Sequence, residues 1–200
     1  FVIPDTQVKP GVPLQHLTAA GNYIVDKKPD VVVLIGDFAD MHSLSSYDKG
    51  KKSFEGRRYR LDIEAAQEGL DALFEPLNNY NAVQARNKKK QYKPRIILTL
   101  GNHEYRIIRA TESEPILEGT IGIEDLGYEK RGIEVYPFLQ PVEVDGITYC
   151  HYAKQDNSKF PITRAHLIAS KRFSSWTVGH RQTLDYFVSQ NLVHGRRVQC

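Results

Sequence analysis

Five short apolar runs in this chain each end in a side chain able to bind a metal. Asp5 follows FVIP, Asp37 follows VVVLIG, Asn102 and His103 follow RIILTLG, His151 follows ITYC, and His180 follows WTVG. Carboxylate, amide and imidazole groups with no thiolate among them suit a hard or borderline divalent cation. A pair of such ions would make phosphate chemistry possible, because metals polarise phosphoryl oxygens and acidify water. Any one of these residues alone reads as a strand-end cap or an Asx turn. Their recurrence after five strand-like runs favours a shared site.

The elements that position them follow from the same pattern. A run of four to eight apolar, often β-branched residues bounded by Gly or Pro reads as a strand buried on both faces. In open α/β sheets ligands collect beyond the carboxyl ends of the strands, so five donors just past five strand ends are expected on one rim. Between the first two runs, Leu14, Leu17, Ala20, Ile24 and Val25 predict a helix over Pro13 to Lys28, ended by Pro29-Asp30. Arg58 to about Asn87 predicts a longer helix that Pro76 is expected to kink or split. These are βαβ units, which imply a sheet that is at least partly parallel. Beyond Glu104, Tyr105 to Ala110 predicts a short helix. IEVYPF, QPVEVDGITYCHY, SSWTVGH, TLDYFVS and GRRVQC then read as strands of a mostly β half, with Asp145-Gly146 as a hairpin turn and Ile162 to Phe173 as a helix.

The 200 residues predict one domain over 1–200, able to bury about 70% of its unfolded surface. The chain enters directly on FVIPD and breaks off in GRRVQC, so a longer parent protein, cut at both ends, is expected. Cys150 and Cys200 make no disulfide framework, which points to a reducing compartment. No apolar stretch approaches the ~18 residues of a membrane helix, and no signal peptide is visible. A soluble, cytoplasmic protein without membrane contact is expected. Of a net charge of +3, Lys49 to Arg60 carries +5 and Arg86 to Arg95 carries +6, leaving −8 for the rest. Segregation of this kind, with both basic segments expected beside the rim, resembles the footprint of a polyanion binder, though charge runs are also ordinary solvated loops. Tyr47, Phe54 and Tyr59 lie among the first group and could stack on bases or anchor the loop.

Asp5-Thr6-Gln7, Gly36-Asp37-Phe38-Ala39-Asp40, Gly101-Asn102-His103-Glu104, the strand-end His151 and Gly179-His180-Arg181-Gln182 stand in the order of the five signatures of calcineurin-like metallophosphoesterases. The chain resembles that superfamily over nearly its whole length. Its Asp-Thr-Gln opening is similar to that of phage-encoded members, and the chain is also similar to the repair-nuclease branch. The resemblance implies an α/β fold, a four-layer α/β/β/α sandwich with mixed sheets, and a two-metal centre. Asp37 would bridge both ions, Asn102, His151 and His180 would complete the second site, and Asp5 would hold the first. His103, oriented by Asp40, would protonate the leaving group. From position alone, Arg106 and Arg109 just beyond could grip phosphate oxygens, and His42 in the loop after Asp40 reads either as a substrate contact or as an ordinary surface histidine.

Two positions depart from the family pattern of D-x-H and G-H-x-H, because Gln7 and Gln182 replace histidines that would ligate the first metal. A neutral amide oxygen is a harder ligand than imidazole, so that site should bind weakly and prefer Mn²⁺, with Mg²⁺ possible and Zn²⁺ disfavoured. It could also stay empty. The resemblance implies hydrolysis of phosphodiester bonds, foremost in DNA, by in-line attack of a metal-bridging hydroxide. The alternatives are a phosphatase or phosphodiesterase for small molecules or phosphoproteins, and a binding scaffold that has lost catalysis. Against the protein-phosphatase branch, Met41-His42 follows Asp40 where that branch has Arg-Gly. A homodimer and a partner ATPase both stay open.

Overall fold

A computed structural model describes residues 1–158, 160–190 and 197–200. The fold is mixed α/β. Nine strands are present among the described residues: β1 Val2–Ile3, β2 Val31–Leu34, β3 Arg95–Thr99, β4 Glu134–Tyr136, β5 Val142–Val144, β6 Ile147–Cys150, β7 Ser175–Val178, β8 Val188–Gln190 and β9 Arg197–Gln199. Among the same described residues, four α-helices are α1 Gln15–Lys27, α2 Tyr59–Arg86, α3 Tyr105–Ser113 and α4 Ala165–Arg172. Short 3-10 turns fill much of the loop between β2 and α2 and the acidic stretch between α3 and β4.

β1, β2, β3 and β4 form one sheet in that order, every pair parallel. Alternation along its central strands decides what each face meets. Val32, Leu34, Ile96 and Leu98 join the core against α1 and α2, whereas Val33 and Ile97 face Val142 and Val144 of the second sheet. Burial on both faces is why β2 and β3 read as continuous apolar runs. The second sheet orders β5, β6 and β7, antiparallel in the first pair and parallel in the second, with α4 as the crossover. α4 contributes Ile168 to a third cluster with Ala153, Ile162, Trp176 and Val178. β8 and β9 pair with each other.

The Asp145-Gly146 turn carries two positive φ angles, 51° and 78°, as a tight hairpin between β5 and β6 demands. Three expectations are corrected. IEVYPF does not belong with the later β half, because β4 adds to the first sheet alongside β3. α2 neither splits nor ends at Pro76, since Leu70, Leu73, Phe74 and Leu77 are buried on both sides of it and packing on α1 carries the helix through. α1 makes room with Gly21, where a Cβ would lie 2.2 Å from the Leu73 carbonyl oxygen and 3.0 Å from Pro76 Cγ.

The third concerns charge. Arg95 opens β3 and Asn102 follows its far end, so Arg86 to Lys93 lies at the amino ends of the strands, opposite the rim. Those cations instead follow the carboxyl end of α2, where the helix dipole favours them. The part of GRRVQC at positions 195–196, and His194, lie outside the described residues.

Among the described residues no helix is long and apolar enough to cross a membrane. Cys150 and Cys200 are both free.

Candidate metal centre

The loop after β1 runs beside the loop after β2. Gln7 N–H donates to the Asp37 carbonyl at 2.8 Å, Val8 N–H to Phe38, and Asp40 N–H back to Val8. This short ladder sets Asp5, Gln7 and Lys9 next to Asp37 and Asp40. Gly36, at φ 90°, then turns the chain so closely that a Cβ would sit 2.6 Å from His151 Nδ1. Gly101 is tighter, because its Cβ would meet Asp37 Oδ1 at 2.1 Å.

Glu104 locks these loops together. Its fully buried carboxylate accepts from the backbone N–H of Asp37 (3.0 Å) and Gly101 (2.9 Å) on one oxygen, and from Ala39 N–H (2.9 Å) and the Tyr128 hydroxyl (3.3 Å) on the other. Burial, then the charge of Asp37, pushes the Glu104 carboxyl upward, while the backbone donors oppose that. In the sequence Glu104 stands out only as the last residue of Gly101-Asn102-His103-Glu104. A carboxylate one residue past a strand-end Asn-His pair was its sole signal.

The centre itself gathers Asp37, His151 and His180, each offering a ligand atom within 4.8 Å of the others. Asn102 joins them, with its Oδ1 3.0 Å from His151 Nε2. Asp37 Oδ2 lies 3.3 Å from the same nitrogen. His151 Nδ1 lies 2.9 Å from the Ile35 carbonyl oxygen, an acceptor only, so Nδ1 carries a proton there. In the neutral ring Nε2 is therefore a lone pair that confronts two oxygens. An amide oxygen, a carboxylate and an imidazole nitrogen turned toward one another are the donor set a divalent cation needs. These residues fit a metal.

Asp5 stands alongside, its carboxylate accepting from His180 N–H at 3.1 Å and lying 3.6 Å from His151 Nδ1. Burial raises the Asp5 carboxyl. For His151, burial favours the neutral ring but Asp37 outweighs it, so its affinity for a proton rises; His180 moves the other way through burial and the neighbouring His151. Burial would raise Asp37 too, yet His151 and His103 outweigh it and lower the carboxyl. Tyr105, Phe138 and Tyr152 wall this side, with Tyr105 and Phe138 stacked at 4.8 Å and Tyr152 4.9 Å from the His180 ring.

Gln7, Asp37 and His180 all hold left-handed backbone, at φ 46°, 49° and 68°. Such strain costs of order 1–3 kcal/mol per residue and collects at functional sites. Gln7 is half-buried beside Asp37, whereas Gln182 is exposed in the bend beyond His180.

His103 lies on the adjoining side. Its backbone N–H donates to Asp37 Oδ1 at 2.9 Å, and its Nδ1 donates to Asp40 Oδ1 at 2.9 Å. Arg106 Nη2 donates to Nε2 at 3.3 Å, and Arg106 Nη1 donates to the Asp40 carbonyl at 2.7 Å. Asp40 also pairs with Lys9 at 3.1 Å, a cation that sequence reasoning missed. Burial alone would raise Asp40, but hydrogen bonds from His103 and Lys9 prevail and hold its carboxyl well below the usual range.

The remaining sequence candidates divide. His42 turns Nδ1 toward the buried Asp62 on α2. Arg109 sits farther out and donates to Ser46 Oγ at 3.3 Å. Tyr59 anchors the loop by bonding Asp125 and Gly122, and Phe54 lies under Arg57, leaving Tyr47 as the exposed aromatic of the three. Comparison with protein-family models, curated proteins and solved structures found no match to this chain.

Proposed function

We propose that the chain is a divalent-metal-dependent phosphoesterase that hydrolyses phosphodiester bonds, with nucleic acid as the foremost substrate. The single observation that carries this reading is the convergence of Asp37 Oδ2, Asn102 Oδ1 and His151 Nε2, with His180 beside them and an Asp40–His103 pair next door. Three hydrophobic clusters, helix on sheet, sheet on sheet and sheet on helix, support the finer architecture of a four-layer α/β/β/α sandwich. Both agree with the resemblance to calcineurin-like metallophosphoesterases.

In this reading Asp37, Asn102, His151 and His180 hold one cation, and Asp5, Gln7 and Asp37 supply a second, weaker position. Mn²⁺ is the preferred metal at oxygen-rich ligands of this kind. Bound there, the ions supply Lewis-acid polarisation of a phosphoryl oxygen and lower the pKa of water. The protein's own groups do the rest. Asp40 fixes the His103 tautomer by accepting from Nδ1, which aims Nε2 toward Asp37, 3.7 Å away at Oδ2. Arg106 covers that nitrogen and can turn to a phosphate oxygen, freeing the Nε2 lone pair to take up a proton from solvent and hand it to the departing alkoxide. Tyr105, Phe138 and Tyr152 limit water around the buried ligands.

Only Lys49 to Arg60 lies near the Asp40 side, through Arg57 and its bond to the His42 carbonyl. Charge therefore supports nucleic acid less than the sequence implies, and hydrolysis of small phosphodiesters is the second reading. The exposed Gln182 favours unequal metal positions, which is also what a lapsed scaffold would display. Purified protein assayed with Mn²⁺, Mg²⁺ and Zn²⁺ on single- and double-stranded DNA and on an aryl phosphodiester separates the three. DNA cleavage with Mn²⁺ that vanishes in Asp37→Ala and His103→Ala supports the first. Hydrolysis of the aryl ester alone supports the second, and bound metal with no hydrolysis supports the scaffold.

A further inference from the structure

A second Asp–His pair lies beside the first. Asp62, 1% exposed in the first turn of α2, accepts from Ser43 N–H at 2.8 Å through one oxygen. Its other oxygen lies 3.1 Å from His42 Nδ1, off the line a hydrogen bond requires, so both atoms are buried without such a bond. A buried carboxylate facing an imidazole it does not quite bond is costly unless something completes it. Hydrogen bonds at functional sites are often loose before a ligand arrives and tighten when it binds.

His42 also lines an open cleft of about 240 Å³ with Lys9, Asp40, Ser45, Asp48, Arg57 and Arg106. Each acid there is shared between cations: Asp40 by Lys9 and Arg106, and Asp48 by Arg57 and Lys51. The cleft therefore keeps an excess of positive charge. Arg57 further ties it to the histidine, donating to the His42 carbonyl at 3.0 Å. The cleft opens onto the Asp40–His103 pair through Arg106, which touches both. An anion seated there would be the neighbour of one attacked at the metal centre.

We infer that this cleft binds a second phosphate group, adjacent to the scissile one, with Lys9, Arg57 and His42 as its donors and Asp62 as the residue that positions His42. The substrate class is then a phosphodiester flanked by another phosphate, as in a polynucleotide strand. This rests on the phosphoesterase reading but is testable apart from it. Ser45, itself buried, also lines the cleft.

The experiment is calorimetric titration of metal-free protein, held in EDTA, with the 5′-phosphorylated dinucleotide pTpT and with unphosphorylated TpT. Wild type should bind pTpT at least tenfold more tightly. His42→Ala and Asp62→Asn, each checked for folding by circular dichroism melts, should bring that ratio below threefold. Equal binding of both probes by wild type overturns the cleft whatever the variants do, and so does an undiminished ratio in both folded variants. Mn²⁺-dependent hydrolysis of bis(4-nitrophenyl) phosphate tests the other reading: its absence with the pTpT preference intact would remove the enzyme and leave the anion site.

Discussion

At the residue scale, Glu104 is the most constrained group near the centre. Each carboxylate oxygen takes two donors, so an amide in its place must turn an NH₂ toward a backbone N–H in either orientation. Glu104→Gln should therefore destabilise the protein by about 3 kcal/mol in urea unfolding, as expected for breaking a buried charged network. A change under about 1 kcal/mol would mean that the loops do not depend on it. Asp40 makes a pH prediction. Its folded-state pKa lies below the ordinary 3.8, so its contribution to stability is present above that value and is lost as pH falls through the folded pKa. His103, Lys9 and Arg106 are the charged or titratable groups that face it. Wild type should lose stability more steeply than Asp40→Asn below about pH 4 in acid-titrated thermal melts; parallel curves would contradict the assignment.

At the element scale, the packing of α1 on α2 turns on a single missing side chain. A Cβ at Gly21 would stand 2.2 Å from a backbone carbonyl that cannot move aside cheaply, so Gly21→Ala should cost about 1–3 kcal/mol in thermal unfolding despite alanine's better helix propensity. An unchanged or raised melting temperature would refute the close approach. The helices were legible because their apolar spacing is strong, and α1 and α2 fall within a residue or two of the predicted spans. Pro76 misled because local chain chemistry argues for a break while tertiary packing on both sides of it holds the helix. β4 misled for a related reason: IEVYPF is short and half-exposed, and nothing in its pattern says which sheet it joins. Strand-end polar residues were visible as a group, since each follows a run buried on both faces. Glu104, Lys9 and Asp62 were not, because their roles arise from contacts across 24 to 67 positions, except for the bond from Glu104 to nearby Gly101, or, for Asp62, across 19 and 20.

At the scale of the whole molecule, charge is divided between two ends of the sheet. The Lys49 to Arg60 segment adjoins the cleft, and the Arg86 to Lys93 segment lies at the amino ends of the parallel strands. Reversal of Lys88, Lys89 and Lys90 to Glu should leave KM for a short oligonucleotide within about twofold, whereas reversal of Lys49 and Lys52 should raise it and flatten its dependence on salt. Steady-state kinetics at low and moderate ionic strength provide the check, and the reverse order of effects would place the substrate on the other end.

The proposed function depends on side chains from four separate strand ends meeting around a cation. Calorimetric titration with Mn²⁺ addresses that most directly. Wild type should show saturable binding that Asp37→Asn and His151→Ala each weaken at least 100-fold, beyond the 10- to 100-fold expected for groups one step removed from a metal. Folded variants that take up Mn²⁺ as tightly as wild type would contradict it.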